Sequence, residues 1–298
     1  MPYSETVREP GFTLLELLIA MAIALVVITS IASAFISQRK TYAVQEQISE
    51  MQQNARAAMD IMSREIRMTG YGVPRPQPAA DLSYWIDWVS GVTMDSNPKI
   101  QPGNDGASDP DEKSDIIHIA ACFDGPAATL SSNALSGDTT IDVTPVGGTV
   151  SERFDTSDEK VISIGGFENA VITGIAGNTL TIDTDPTTAG NQGLSKDYDV
   201  SATTVNICVV KVISYSIVQE TEGSRTIYTL KRNENLGAGR QPLAENIVDL
   251  QITQAGDTID INPLTAQTDK PDPDYPQNSG YRRYELRTFI TPPNLLIN

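Results

Sequence analysis

The sequence predicts an α+β fold in which one long N-terminal helix packs on an antiparallel β-sheet that carries a small inserted β subdomain. Three observations predict this fold. Neither glycine nor proline occurs between Gly11 and Gly70, and a window of this kind favours one continuous helix. Short strand-like runs separated by glycine-rich turns fill residues 124–200, which is typical of a small all-β unit. Longer strand-like runs follow in residues 205–290 and would form the sheet.

The apolar first half of the helix is long enough to span a membrane. From Leu17 to Phe35 no residue is formally charged, and counted from Phe12 the run covers about 24 residues, enough to cross a hydrocarbon core about 30 Å thick. Glu16 lies within this run. Because a carboxylate in hydrocarbon is costly and needs a partner, we interpret Glu16 as a functional group. The alternative is a simple anchor that tolerates an acid near the interface.

The residues around Glu16 carry a resemblance to a known signal. The stretch from Gly11 to Leu17 reads Gly-Phe-Thr-Leu-Leu-Glu-Leu and closely resembles the type IV prepilin signal. The resemblance implies that an inner-membrane prepilin peptidase cleaves between Gly11 and Phe12 and methylates the new amine of Phe12. It also implies that Glu16 pairs with the Phe12 amine of a neighbouring filament subunit and so sets the register of assembly.

The charges on either side of the span run against the usual orientation. The leader carries Arg8 together with Glu5 and Glu9, whereas Arg39 and Lys40 lie at the far end. The positive-inside rule would therefore place the leader outside. We let the prepilin motif decide the orientation, with the leader inside and the head in the periplasm.

The second half of the helix is amphipathic. Apolar residues recur every three or four positions and form one stripe, which consists of Val44, Ile48, Met51, Ala55, Ala58 and Met62. Such a stripe needs a covering surface, and the chain's own sheet is our interpretation. A free coiled-coil stalk is the alternative, although the repeat is short and its seam holds small residues. The helix is predicted to end near Gly70 and Gly72, before Pro74.

Strand-like runs make up most of the remaining chain. The predicted insert contains runs at 139–144, 159–164, 170–175 and 179–183, after a first strand at 116–123. The sheet runs are 205–218, 226–232, 247–253 and 281–290. Gly177 and Asn178 separate two of the short runs, and a Gly-Asn dipeptide between two strands predicts a tight hairpin. Residues 271–276 are too rich in proline for a strand and predict a loop.

A second resemblance concerns the end of the helix and a later strand region. Arg64 to Arg67 followed by Gly-Tyr-Gly at Gly70 to Gly72, and the stretch from Gln241 to Gln251, resemble the PilW family of minor pilins. The later stretch also resembles, less closely, the J-type minor pseudopilins of type II secretion. The resemblance implies the type IV pilin fold. Taken with the strand pattern, which gives the insert, it divides the chain into a leader (1–11), a transmembrane and filament-core helix (12–36), an amphipathic half (37–70), a β head (71–123 and 201–298) and the insert (124–200).

The resemblance implies a structural role. The expected protein is a minor pilin that enters the inner membrane as a single-pass prepilin, is processed, and primes or caps the pilus in a tip complex outside the cell. The implied partners are prepilin peptidase, other minor pilins, the major pilin, the inner-membrane assembly platform and a large tip adhesin. Two alternatives stay open, a J-like pseudopilin of type II secretion and a tip-located adhesion module that uses the insert.

Composition argues against one class of partner and suggests one covalent link. The 298 residues carry a formal charge of −17, whereas a protein that binds nucleic acid needs a basic face. We therefore expect no nucleic-acid partner. Cys122 and Cys208 are the two cysteines of the chain, and in an exported domain they suggest one disulfide. Two buried thiols are the alternative.

Signals for catalysis and metal binding are weak. His118 is the single histidine and shares a strand face with Cys122, but four residues along a strand span about 13 Å, too far for a catalytic pair. We find no nucleophile elbow, phosphate-binding loop or zinc spacing. Residues 104–112 concentrate oxygen ligands but do not match a helix–loop–helix calcium site. We expect no enzymatic activity, cofactor or metal.

Residues 73–115 are predicted to form a long surface loop, because they are rich in proline, glycine, aspartate and serine. Trp85 and Trp88 are the exception within this loop. We interpret them as an aromatic packing anchor, with an exposed ligand platform as the alternative.

Overall fold

The computed structural model describes residues 13–73, 100–104, 114–154, 161–186, 188–223, 225–234, 239–255 and 258–295. The predicted cleavage site at Gly11 and Phe12, the tryptophans Trp85 and Trp88, and nearly all of the oxygen-rich loop lie outside the described residues. The chain divides into one unit that ends at Glu50 and a second that begins at Met51.

The first unit consists of the apolar part of helix α1, which runs as a whole from Leu14–Met68. By length and composition, α1 can cross a membrane. Every residue from Leu14 to Ala43 is exposed in the single chain. An exposed apolar surface of this extent needs lipid or other helices to cover it.

The second unit begins with the amphipathic part of α1. Its buried residues are Met51, Ala55, Ala58, Met59, Met62 and Ile66. The predicted apolar stripe is therefore confirmed from Met51 onward, and its burial favours packing on the chain's own β structure over a free coiled coil. The helix ends at Met68, close to the predicted end near Gly70 and Gly72. Both glycines adopt positive φ angles, which glycine accepts without strain.

The strands follow α1 in the second unit. The first seven are β1 (Ile100–Asn104), β2 (Asp115–Ala121), β3 (Pro126–Leu130), β4 (Thr140–Pro145), β5 (Val161–Ile164), β6 (Glu168–Ala176) and β7 (Thr179–Asp183). The others are β8 (Asn206–Val209), β9 (Lys211–Glu222), β10 (Arg225–Glu234), β11 (Gln241–Glu245), β12 (Ile247–Ala255), β13 (Thr258–Gln267) and β14 (Arg283–Ile290). A one-turn helix α2 (Val150–Arg153) and two short 3-10 helices (Asn278–Gly280 and Pro293–Leu295) complete the described elements.

The described strands form two open antiparallel sheets and one closed barrel. One sheet has the order β1-β2-β9-β10-β11 and the other β12-β13-β14. The α+β class is thus confirmed, but the prediction of one sheet was wrong, because the runs at 247–253 and 281–290 belong to the second sheet. The run at 205–218 also divides at Val210 between β8 and β9. Neither glycine nor proline marks this division in the sequence.

The barrel has the strand order β3-β4-β7-β6-β5-β8 in the described residues. Its strands run from Pro126 to Val209, so they extend past residue 200, the predicted end of the insert. Large aliphatic side chains such as Ile162, Ile182 and Leu180 fill its interior and are fully buried. The hairpin predicted at Gly177 and Asn178 is confirmed, since Ala176 pairs with Thr179.

The barrel interrupts a pair of neighbouring strands of the five-stranded sheet. Ala121 at the end of β2 pairs with Lys211 at the start of β9, and the barrel lies between them in sequence. A disulfide joins Cys122 to Cys208 at this junction, with the two Cα atoms 5.7 Å apart. The bond therefore closes the base of the barrel, where the chain enters and leaves it.

Candidate functional site

The start of α1 is capped by Glu16. The carboxylate oxygen Oε2 accepts hydrogen bonds from the Thr13 backbone N–H at 3.1 Å and from the Thr13 hydroxyl at 3.2 Å. In return, the Glu16 backbone N–H donates to the Thr13 hydroxyl at 3.3 Å. This reciprocal arrangement is a capping box, which satisfies backbone donors that a helix start leaves free. The spacing Thr-x-x-Glu from Thr13 to Glu16 is the sequence signal that predicts such a box.

Glu16 keeps part of its binding capacity. Its other oxygen, Oε1, accepts no hydrogen bond from any residue that the structure describes. The carboxylate is exposed, as is the apolar helix surface around it. A carboxylate can therefore cap its own helix through one oxygen and receive a second donor through the other.

The hydroxyl groups of the apolar segment are satisfied within the helix. Thr29 donates to the Leu25 carbonyl at 2.7 Å, and Ser30 donates to the Val26 carbonyl at 2.8 Å. A hydroxyl that is hydrogen-bonded in this way costs little free energy when it is placed in hydrocarbon. Glu16 is thus the ionisable group of the described apolar segment that still needs a partner there.

A polar network that our sequence analysis missed joins α1 to the five-stranded sheet. The Glu65 carboxylate accepts hydrogen bonds from the Tyr215 hydroxyl and from Arg232 Nε at 3.1 Å. The Glu65 and Arg232 side chains are 20% and 18% exposed. Arg232 also donates to Glu234 at 3.0 Å, and Glu234 binds Lys211 at 2.9 Å. No local pattern predicts these contacts, because they join residues far apart in the chain.

The network fixes the protonation of its members. Burial, together with the hydrogen bond to Glu65, raises the pKa of Tyr215 above its ordinary value, so this hydroxyl stays protonated and can donate. Burial tends to raise the pKa of Glu234, but the hydrogen bonds from Lys211 and Arg232 outweigh it and hold that pKa below its usual value. Charged acceptors therefore face cationic or neutral donors throughout the network.

We expect Glu65→Ala to lower the free energy of unfolding by about 3 kcal/mol, because Arg232 stays partly buried but loses its ion-pair partner on α1. Asp60→Ala is the matched control, since Asp60 pairs with Arg64 on the exposed side of the same helix and such pairs contribute little. Urea unfolding of the full chain in a non-ionic detergent measures both. Equal losses of unfolding free energy in the two variants would show that the buried network contributes no more stability than an exposed ion pair.

The structure places His118 and Cys122 in separate roles. His118 Nδ1 lies 2.6 Å from the Ser214 hydroxyl on the neighbouring strand, whereas Cys122 is held in the disulfide. They do not form a nucleophile and base pair in this oxidised chain. Burial lowers the pKa of His118 below its ordinary value.

His118 predicts a pH dependence of stability. Because its pKa is lower in the folded chain than in the unfolded chain, the unfolded chain binds the proton first as pH falls. Stability is therefore expected to decrease as pH drops below about 6.5. Thermal unfolding at pH 7.5 and pH 5.5 should show a larger decrease in Tm for the wild type than for His118→Asn. The same decrease in both would assign the effect to other groups.

The described residues contain no group of three or more histidine, cysteine, aspartate or glutamate side chains that could hold a metal ion. Several acids among the described residues accept backbone hydrogen bonds. Asp183, at the end of β7, is buried and accepts the backbone N–H groups of Asp185 and Gln192, each at 3.0 Å.

Comparison with known proteins identifies the N-terminal region. Residues 8–32 match the prokaryotic N-terminal methylation motif, which includes Gly11, Phe12 and Glu16. Comparisons with curated proteins and with solved structures gave no significant match. The apolar helix fits a membrane-anchored prepilin. The motif supports a type IV pilin-like protein, and it implies processing by prepilin peptidase and assembly with other pilins. The chain thus has the features of a prepilin-type substrate, such as a pilin or a pseudopilin.

Proposed function

We propose that the chain is a minor type IV pilin of the PilW-like kind, which primes or caps a pilus from a complex at its tip. The observation that carries the proposal is the methylation motif at residues 8–32, which leads directly into the exposed apolar part of α1. Prepilin peptidase would cleave between Gly11 and Phe12 and methylate the Phe12 amine. The proposed role is assembly and involves no catalysis.

Assembly would proceed by exchange of one apolar environment for another. The exposed surface between Leu14 and Ala43 is covered by lipid in the prepilin and by neighbouring helices in the filament. A carboxylate in that environment requires a cation. Glu16 Oε2 caps its own helix, and Oε1 would receive the Phe12 amine of the adjacent subunit, which fixes the axial register.

The size of the head supports a low-copy position at the tip of the filament. The second unit contains two open sheets and an inserted barrel. A head of this size is difficult to repeat along a thin filament, whereas a single copy at the tip meets no such limit. The type IV pilin fold is part of the proposal, since a long helix packed on antiparallel strands is consistent with it.

The proposed partners follow from this position. They are the prepilin peptidase, other minor pilins, the major pilin, the inner-membrane assembly platform and a large tip adhesin. The charge of −17 argues against nucleic acid as a partner. Before assembly the chain would lie in the inner membrane with its head in the periplasm, and afterwards it would lie outside the cell.

Two other functions share the same processing. A J-like minor pseudopilin of type II secretion is supported by the stretch from Gln241 to Gln251, which forms β11 and the start of β12. An adhesion module is supported by the barrel, which has its own buried core and a base closed by the disulfide.

Deletion of the gene in its own host separates the three functions. We expect surface pili to disappear and to return when the full chain is restored. Loss of protein secretion with pili intact would contradict the pilin proposal and favour the pseudopilin. A second complementing variant replaces residues 122–210 by Asn-Gly, a two-residue turn that suits the paired Ala121 and Lys211. If this variant restores pili but not attachment to surfaces, the barrel is an adhesion module.

A further inference from the structure

The barrel has one end that lies away from its junction with the five-stranded sheet. Pro126 pairs with Cys208 at the base, beside the disulfide, whereas Thr129 pairs with Asn206 farther along the same two strands. The turn between β5 and β6 lies at that far side, because the Gly165 N–H donates to the Asn206 carbonyl at 2.7 Å. We call residues 131–139, 165–168 and 194–205 the outer end of the barrel.

Hydrogen bonds hold the loops of the outer end together. They join Gly137 N–H to the Leu194 carbonyl at 2.8 Å, Ser136 N–H to Asp197 Oδ1 at 2.7 Å, and Val200 N–H to Asn133 Oδ1 at 3.0 Å. A backbone bridge pairs Ala134 with Tyr198. The outer end is therefore a preorganised surface, and preorganisation reduces the entropy cost of binding.

An aromatic and acidic site at this end is occupied by the chain's own Lys196 side chain. Lys196 Nζ lies 3.2 Å from the centroid of the Phe167 ring and 5.1 Å from that of Tyr198. The Tyr198 hydroxyl donates to Glu168 Oε1 at 2.7 Å, and Glu168 Oε2 accepts the Ser195 N–H at 2.9 Å. The ammonium thus lies on the Phe167 ring, and the nearby Tyr198 hydroxyl is bonded to the Glu168 carboxylate. An ammonium on the face of an aromatic ring is the arrangement that cation–π recognition uses.

The site is open to solvent and surrounded by negative charge. Phe167 is 67% exposed although it belongs to a well-formed turn. The charged residues of the outer end are Asp138, Glu168, Lys196, Asp197 and Asp199. The outer end therefore carries four carboxylates and one ammonium. This excess of negative charge attracts a further cation, and the chain's charge of −17 increases that attraction.

We propose that the outer end of the barrel is a docking surface for a lysine- or arginine-bearing segment of a partner protein, with Phe167 as the ring on which the partner's cation lies. Lys196 occupies that ring in the free chain and is displaced from it or shares it on binding. The proposal concerns the barrel alone, so it stands or falls independently of whether α1 is processed or assembled.

The first test measures the affinity of a labelled hexalysine peptide for the full chain in a non-ionic detergent, by fluorescence anisotropy at low salt. Phe167→Leu keeps an apolar side chain and the net charge but removes the aromatic ring. It is expected to weaken binding about threefold. Val146→Ala is the matched control, since Val146 is an exposed aliphatic residue bonded to Ala127 near the base of the barrel. It should bind as the wild type does.

A second pair of variants tests whether Lys196 competes with the peptide for the Phe167 ring. Lys196→Met frees the Phe167 ring and is expected to tighten peptide binding more than Arg240→Met, an exposed charge-matched control outside the barrel. Tm measurements confirm that each variant is folded. The proposal is overturned if Phe167→Leu binds like Val146→Ala, or if Lys196→Met and Arg240→Met bind equally. Equal binding of a fully acetylated peptide would also overturn it, since that peptide carries no side-chain cation.

Discussion

Replacing Cys122 and Cys208 together by alanine is expected to lower the free energy of unfolding by about 4 kcal/mol. The two residues are 86 positions apart in sequence, and a cross-link that closes a loop of this length removes much of the entropy of the unfolded chain. Alanine suits the two positions because both side chains are buried, at 0% and 8% exposure. Urea unfolding, followed by far-UV circular dichroism in a non-ionic detergent, measures the loss.

The surroundings of the disulfide add a packing contribution. Both sulfur atoms lie against Gly72, where a Cβ atom would approach Cys122 Sγ to 2.8 Å. The Cys122 N–H also donates to the Tyr71 carbonyl at 2.9 Å. The bond therefore links the end of α1, the five-stranded sheet and the barrel. Reduction of the wild type should reproduce most of the loss, and Ser132→Ala on the exposed barrel surface should not. Unchanged stability after complete reduction would contradict this role.

Glu16→Gln is expected to reduce incorporation into filaments more than about a hundredfold, because it removes the charge that would pair with the Phe12 amine in an apolar environment. The amide oxygen can still accept the hydrogen bonds from Thr13, so the helix cap is retained. Membrane insertion and cleavage are expected to continue. Incorporation is measured by immunoblot of filaments sheared from the host against the membrane fraction.

Two further variants separate charge from capping. Glu16→Ala removes both the charge and the cap, whereas Glu46→Gln removes an exposed charge elsewhere on α1 and serves as the control. If Glu16→Gln assembles normally while Glu16→Ala does not, capping is the essential role of Glu16. The proposed pairing with the neighbouring amine would then be wrong.

Local sequence information was sufficient for the helix and for the methylation motif at its start. The absence of glycine and proline after Gly11 predicts the helix, and Gly70 predicts its end, because these are properties of short windows. Glu16 was likewise visible as one acid in an apolar run. The hairpin at Gly177 was found for the same reason, since a two-residue turn is encoded by the turn itself.

Contacts between residues far apart in the chain could not be predicted from local sequence. The closure of the barrel depends on β3 meeting β8, which are distant in sequence. Neither glycine nor proline marks the change from barrel to sheet at Val210. The network of Glu65, Tyr215 and Arg232 spans 150 and 167 positions. A single sequence does not show which charged residues meet at such separations. The split of the expected sheet into two has the same cause, since register and partner choice are tertiary properties.

The most direct test of the central claim is the intact mass of the protein from membranes of its own host, compared with that of Gly11→Val. We expect the wild-type chain to lack residues 1–11 and to carry one methyl group on Phe12, and the variant to keep its leader. An uncut wild-type chain would contradict the proposed processing. The protein would then be a single-pass anchored β protein, and the filament role given to Glu16 would be lost with it.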